Sequence, residues 1–535
     1  MALTRGGAAS TFLLLVAAAL LGGCRSAPQA STNDGPALVV MMVVDQLTPD
    51  LLDRYDALFT GGLRRLTDGG YKFVNATHDH SGTETAPGHT TLSTGVYPTR
   101  HTIVGNQWNV RIGDAWRSEY CFEDLARPIV GYPDLPGRSP RNIARSGLPD
   151  WMVARDPDTR VVSISRKDRG AIGLAAQTVG DVYWLVERSD GFVTSDFYRS
   201  ELPSWVRDFN ATRMPALYSQ TVWESTVPAD ARSLTRPDTS QYEQDRVHTA
   251  FPHLAGELVD MDDPGEVNSW RYTYTPFPDA AVLALAAEAV RTLSLGGRDS
   301  PDYLGVSLSQ TDLVGHYYGP GSREQLDNLL RLDAELGRFL TYLDEAVGAG
   351  RWVLAVSADH GVLEIPEELV AAGGDAARLT REDRAELLEA IAGAGGNAPG
   401  FGAQDATSAA VVRLPFIEAT YTFDAIESGQ RADSFAVLYA NSHSRTRIVD
   451  LENRAGIYAR YRPQRLLWGA APATHGSPYY YDRHVPLIFL GGGIPAGTST
   501  ERVATVDVAP TMARLAGIPA PGDLDGRDLN LLRRR

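Results

Sequence analysis

The stretch Ala37-Leu38-Val39-Val40-Met41-Met42-Val43-Val44 is a continuous apolar run, partly β-branched, that stops at Asp45. A run without polar alternation predicts a strand buried on both faces, as in a parallel sheet covered by helices. Open α/β sheets gather their ligands at the carboxyl ends of strands, so an acidic residue at that point carries weight. Outward from this run the pattern repeats. Residues 159–165, 303–308, 352–357 and 485–490 read as strands, and 51–66, 279–293 and 322–347 as helices. Ser322-Arg323-Glu324-Gln325 has capping-box spacing, and Leu326, Leu329, Leu336, Leu340 and Leu343 fall on one helix face. A strand-to-helix unit over 504–516 closes the chain. Strands alternating with helices predict an α/β fold, a doubly wound, mostly parallel sheet flanked by helices. Residues 107–270 and 363–470 break the alternation and read as insertions, with regular structure not assigned over 110–160.

The amino terminus has a different character. Arg5 precedes an apolar segment, Phe12 to Leu21, too short to span a membrane comfortably. Leu21-Gly22-Gly23-Cys24 then resembles a bacterial lipoprotein cleavage site. Residues 1–24 are therefore expected to be a signal peptide with Cys24 lipidated, and 25–36 a polar tether. The expected location is periplasmic or cell-surface. Cys121 is the only other cysteine, so lipidation of Cys24 excludes an intramolecular disulfide. Of the 535 residues 43% are hydrophobic and 22% charged, as in globular proteins. The net charge of −16 argues against a nucleic-acid-binding surface, yet leaves room for a local cationic pocket.

Chemistry-bearing residues collect where the predicted strands end. Asp45 follows the first run; Asp312 and His316 follow the strand at 303–308; Asp359 and His360 follow 352–357; His475 lies in a glycine-flanked loop before 485–490. Aspartate and histidine are good zinc ligands, and two zinc ions use about six to eight such groups. The convergence predicts a binuclear hydrolytic site. Thr83-Glu84-Thr85-Ala86-Pro87-Gly88-His89-Thr90 reads as a helix start with Thr85 as its cap, beside free N–H groups and the positive end of the helix dipole. Lys167-Asp168-Arg169 adds two cations on an extended segment turning at Asp168. Lys72 and Lys167 are the only lysines, so a lysine here suggests a need for a compact ammonium.

The order Asp45, Thr85, Asp312–His316, Asp359–His360, His475 resembles the metal and nucleophile pattern of the alkaline phosphatase superfamily. More narrowly, Thr85-Ala86-Pro87-Gly88-His89-Thr90, Gly105-Asn106 and Lys167-Asp168-Arg169-Gly170 resemble the phosphate-irrepressible (PafA-type) bacterial alkaline phosphatases, from about residue 37 onward. The resemblance implies a catalytic domain over 37–535. One zinc would be held by Asp312, His316 and His475, the other by Asp45, Asp359, His360 and the Thr85 oxygen. Thr85 would be the nucleophile, passing through a phosphothreonine, with Asn106, Lys167 and Arg169 binding the transferred phosphoryl group. The expected partners are small phosphate monoesters. Phosphodiesterase or nucleotide pyrophosphatase is the alternative within the superfamily; its members lack the Lys/Arg pair. Sulfatases need Cys or Ser and Arg where Thr85 and His89 stand here, and the related mutases use serine.

Overall fold

A computed structural model describes residues 35–113, 115–186, 189–243, 249–255, 272–397, 399–430, 433–466 and 471–533. The expected signal peptide, the lipidation site Cys24 and most of the tether lie outside these residues. Among them, no helix is long and apolar enough to cross a membrane.

Eight strands form one sheet: β1 (Leu38–Val44), β2 (Tyr71–Thr77), β3 (Val161–Ser165), β4 (Asp181–Tyr183), β5 (Asp302–Leu308), β6 (Trp352–Ser357), β7 (His484–Gly491) and β8 (Gly497–Ala504). Their order is β8-β2-β7-β6-β1-β5-β3-β4. β1 pairs in parallel with β6 and β5, β3 with β5 and β4, and β8 with β2; β7 alone runs against both its neighbours. The mostly parallel α/β sheet expected from the sequence is thus present.

The opening run explains itself by packing. Leu38, Val40, Met42 and Val44 join a core on one side of the sheet, and Val39, Met41 and Val43 join a separate core on the other. Six helices matter to the site: α1 (Thr85–Thr94), α2 (Asp168–Ala175), α3 (Phe277–Leu293), α4 (Gln310–Tyr318), α5 (Arg323–Leu343) and α6 (Val508–Leu515). The leucine stripe of α5 packs on the first face, and Val508, Ala509 and Met512 of α6 on the second.

Several boundaries differ from expectation. The single helix expected over 51–66 is broken into Pro49–Arg54, a 3-10 turn at Asp56–Leu58, and Gly62–Gly69. The cause is α5, which crosses so closely that a Cβ on Gly62 would stand 2.4 Å from Leu336. The buried Asp333 of α5 captures the exposed helix start, accepting from the N–H groups of Thr60 (2.8 Å), Gly61 (2.7 Å), Leu63 (2.7 Å) and Arg64 (3.3 Å). β2 was not expected, because its residues Tyr71-Lys72-Phe73-Val74-Asn75-Ala76-Thr77 mix polar and apolar side chains. The hairpin Gln107–Ile112/Ala115–Tyr120 also falls where no regular structure was assigned. The segment expected to open a closing strand at 504 is instead a 3-10 turn, Thr505–Asp507, leading into α6. Asp333→Ala removes the acceptor for four backbone N–H groups and should lower unfolding free energy by about 3 kcal/mol, read as a lower urea midpoint at unchanged slope.

Candidate active site

Three parallel strands end side by side. Val43 is level with Ser307 of β5 and Ser357 of β6, so the loops after them reach the same point. Asp45, the residue after β1, is wholly buried, as are Asp359 and His360 beyond β6. β5 runs into α4, whose residues Asp312 and His316 lie one turn apart on one face. His316 Nε2 stands 3.1 Å from Asp312 Oδ1. His475 enters from the loop before β7 with Nε2 3.6 Å from the same oxygen, and its ring stacks on His360 at 3.5 Å.

The donor set suits metal. His316, His360 and His475 each direct Nδ1 to a backbone carbonyl, of Ala473 (2.8 Å), Gly361 (3.0 Å) and Thr83 (2.7 Å). Those bonds fix the tautomer and leave Nε2 for a ligand. Donor atoms of Asp45, Asp359 and His360 lie within 4.8 Å of one another, and so do those of Asp312, His360 and His475. His360 is therefore within reach of both groups, so the two groupings adjoin. Asp45 Oδ1, Asp359 Oδ2 and His360 Nε2 are buried without a hydrogen-bond partner. Burial, with the charges of Asp312 and Asp359, pushes the Asp45 carboxyl well above the usual carboxylate range. Such a cluster calls for positive charge.

Part of that charge is Lys167. The residue precedes α2, and its ammonium lies 2.6 Å from Asp45 Oδ2 and 2.5 Å from Asp312 Oδ2, linking the two ligand groups. Burial works against the ammonium, but Asp312 and Asp45 outweigh it and hold its pKa above that of an ordinary lysine. The expected extended segment does turn at Asp168, and it turns directly into α2. Arg169 faces Tyr120 and Asp168, and Asp45 acts on it electrostatically. No hydrogen bond among the described residues ties its guanidinium to the metal-type ligands.

Thr85 is corrected in one respect. Glu84, in extended conformation, is the cap of α1, and Thr85 is its first helical residue, 1% exposed. The Glu84 side chain makes no capping bond; it accepts the Asn106 N–H at 2.7 Å. Asn106 Oδ1 in turn accepts the Ala86 N–H at 2.8 Å, leaving the amide NH2 end free to donate. α1 is pinned against Asp359 in two ways. His89 Nδ1 bonds the Thr85 carbonyl (2.8 Å) and stands 3.1 Å from Asp359 Oδ2, while its Nε2 meets the Ser307 hydroxyl at 2.8 Å. Gly88 lies flat on the Asp359 backbone, where a Cβ would come within 2.2 Å of its carbonyl oxygen.

Sequence reasoning missed three residues. Gln46 adopts φ 68°, a left-handed conformation uncommon outside glycine, with its N–H 3.2 Å from Asp359 Oδ1 and its side-chain amide 2.7 Å from Asp312 Oδ1. His89 and Asp168 are the others; Asp168 takes the Tyr120 hydroxyl at 2.5 Å and pairs with Arg138. Only the neighbours of Gln46 and Asp168 in sequence, Asp45 and Lys167, pointed toward them. Gly88→Ala should push α1 off Asp359 and weaken the binding of a divalent metal ion by metal-stripped protein at least tenfold in a calorimetric titration, with the far-ultraviolet circular dichroism unchanged.

With this geometry in hand, known proteins are informative. The family model for type I phosphodiesterase / nucleotide pyrophosphatase matches residues 39–444. The chain is 30% identical to alkaline phosphatase PhoV of Synechococcus elongatus, over 92% of this chain and 92% of the relative. It is 29% identical to alkaline phosphatase PafA of Elizabethkingia meningoseptica, over 96% and 98%. A crystal structure of wild-type alkaline phosphatase PafA superimposes with a TM-score of 0.84 at 28% identity, covering 92% of this chain and 98% of that one. This chain belongs to the type I phosphodiesterase / nucleotide pyrophosphatase family, within the alkaline phosphatase superfamily.

Proposed function

We propose that this chain is an exported hydrolase of phosphate monoesters. The observation that carries the reading is the buried Lys167 ammonium, held 2.6 Å from Asp45 and 2.5 Å from Asp312 inside the ligand ring. A monoester brings two negative charges where a diester brings one, so a fixed cation beyond the metals favours the monoester. The alkaline phosphatase names of relatives that span nearly the whole chain support the same choice.

Asp45, Asp359, His360 and the Thr85 oxygen would hold one zinc, and Asp312, His316 and His475 the second. Bound zinc supplies Lewis acidity, lowering the pKa of a coordinated hydroxyl and stabilising the charge of a departing oxygen. The protein's own groups do the rest. Thr85 Oγ forms a bond to phosphorus as the ester oxygen leaves on the opposite side, giving a phosphothreonine. A water then attacks that phosphorus, the P–Oγ bond breaks, inorganic phosphate leaves, and a proton from the water restores the Thr85 hydroxyl. Lys167, Arg169 and the Asn106 amide donate to the oxygens that are neither attacked nor lost. His89 and Gly88 keep Thr85 in line by fixing α1 to Asp359.

Export and a lipid anchor at Cys24 rest on Arg5, the apolar segment 12–21 and the Leu21–Cys24 stretch. The alternative, a phosphodiesterase reading, has the description of the matched family model behind it, against relatives named alkaline phosphatases. The two separate on kcat/KM for an aryl phosphate and its methyl diester with zinc-loaded protein. The monoester should lead by at least 100-fold, and Lys167→Ala should cut monoester turnover by about 10²–10³-fold while moving diester turnover far less. A leading diester, or equal losses on both esters, would refute the monoesterase reading.

A further inference from the structure

A cavity of about 250 Å³ opens beside His475 and Glu84 and runs under the segment from Tyr439 to Leu466. Tyr439, Tyr458, Tyr461 and Tyr479 are among its lining residues. Its charge is unusual: Asp450, Glu452 and Asp482 also line it, and Glu452 and Asp482 are 3% and 1% exposed.

Among the described residues no lysine or arginine is paired with those carboxylates, and Glu452 is hydrogen-bonded by Tyr461. Three arginines reach the same cavity, but each is engaged elsewhere. Arg447 lies 4.5 Å over the Trp108 ring and donates to the Thr102 carbonyl; Arg465 pairs with Asp375 at 2.7 Å; Arg462 stands 3.9 Å from Glu418. Asp482 Oδ2 accepts the Ser477 N–H (2.8 Å) and hydroxyl (2.6 Å), whereas its Oδ1 is buried with no partner. Burial, then the neighbouring Asp450 charge, pushes Glu452 up to about 8. Burial pushes Asp482 up to about 7 against its bonds to Ser477. A cation bound beside either group would favour its ionised form.

The cation that fits is organic. Among the described residues, the metal-type groupings are the two at the sheet edge, and the cavity acids do not converge as a metal would require. Spread carboxyl groups with tyrosines among the same lining residues match an alkylammonium group, which gains from both. In the proposed reading the zinc held by Asp312, His316 and His475 would stabilise the departing ester oxygen, so the cavity beside His475 lies on the side toward which the leaving group would project.

We propose that this cavity is a leaving-group subsite for an alkylammonium group, making phosphate monoesters of short amino alcohols the preferred substrates. The proposal rests on the monoesterase reading for its substrate class and on the cavity alone for its cation. The test compares choline phosphate with 3,3-dimethylbutyl phosphate, an ester of nearly the same shape whose alkyl group is neutral. Wild-type kcat/KM should favour the cationic ester at least tenfold, and Glu452→Gln and Asp482→Asn should each cut that ratio at least threefold. Tetramethylammonium should bind the wild-type holoenzyme in calorimetry and compete with the neutral ester. A ratio near one, a preference for the neutral ester or for glycerol phosphate, or no tetramethylammonium binding would overturn the subsite. Turnover of neither ester would refute the monoesterase reading instead, and calorimetry would still decide the cavity.

Discussion

Three buried carboxylates, Asp45, Asp312 and Asp359, meet at one edge of the sheet, and their mutual repulsion must be met by positive charge. Parallel pairing of β1 with β5 and β6 imposes the meeting, because strands in that register end at the same level. Everything nearby answers to it. Lys167 spans Asp45 and Asp312. Gln46 accepts an unfavourable backbone conformation to reach Asp312 and Asp359. Three histidines turn Nδ1 outward to carbonyls and Nε2 inward. The same constraint makes metal ions the natural completion of the site.

The charge pattern also reconciles an acidic chain with an anionic substrate. A net charge of −16 would repel a phosphate dianion from most of the surface. Lys167, Arg169 and Arg138 are gathered instead around one helix start, with Asp168 between them to fix their directions. On the other side, the cavity beside His475 carries acids and tyrosines. In the proposed reading the site would be polarised, cationic toward the phosphoryl oxygens and acidic toward the region into which a leaving group would project.

Legibility followed the range of the interactions. β6 begins and ends where its apolar run does, and β1 and β5 differ from expectation by a single residue, because a strand buried on both faces must be apolar throughout. Asp45, Asp312 and Asp359 were visible at the ends of those runs. β2 was not, since its side chains are mixed. The helix expected over 51–66 was broken by Asp333 and Leu336, residues more than 260 positions away. His89 and Asp168 act through Asp359 and Arg138, contacts that no local spacing encodes. Thr85 lies at the helix start as expected, but the cap is Glu84, one position earlier; Glu84 gives no capping signal because its carboxylate accepts from Asn106 rather than from its own helix.

The central claim, that this constellation transfers phosphoryl groups through Thr85, is most directly tested by trapping. Zinc-loaded protein turning over a ³²P-labelled aryl phosphate is quenched in acid, digested and mapped. The account predicts label on the peptide carrying Thr85, as acid-stable phosphothreonine, and none in Thr85→Ala. Label on a serine or histidine, or undiminished turnover by Thr85→Ala, would contradict it.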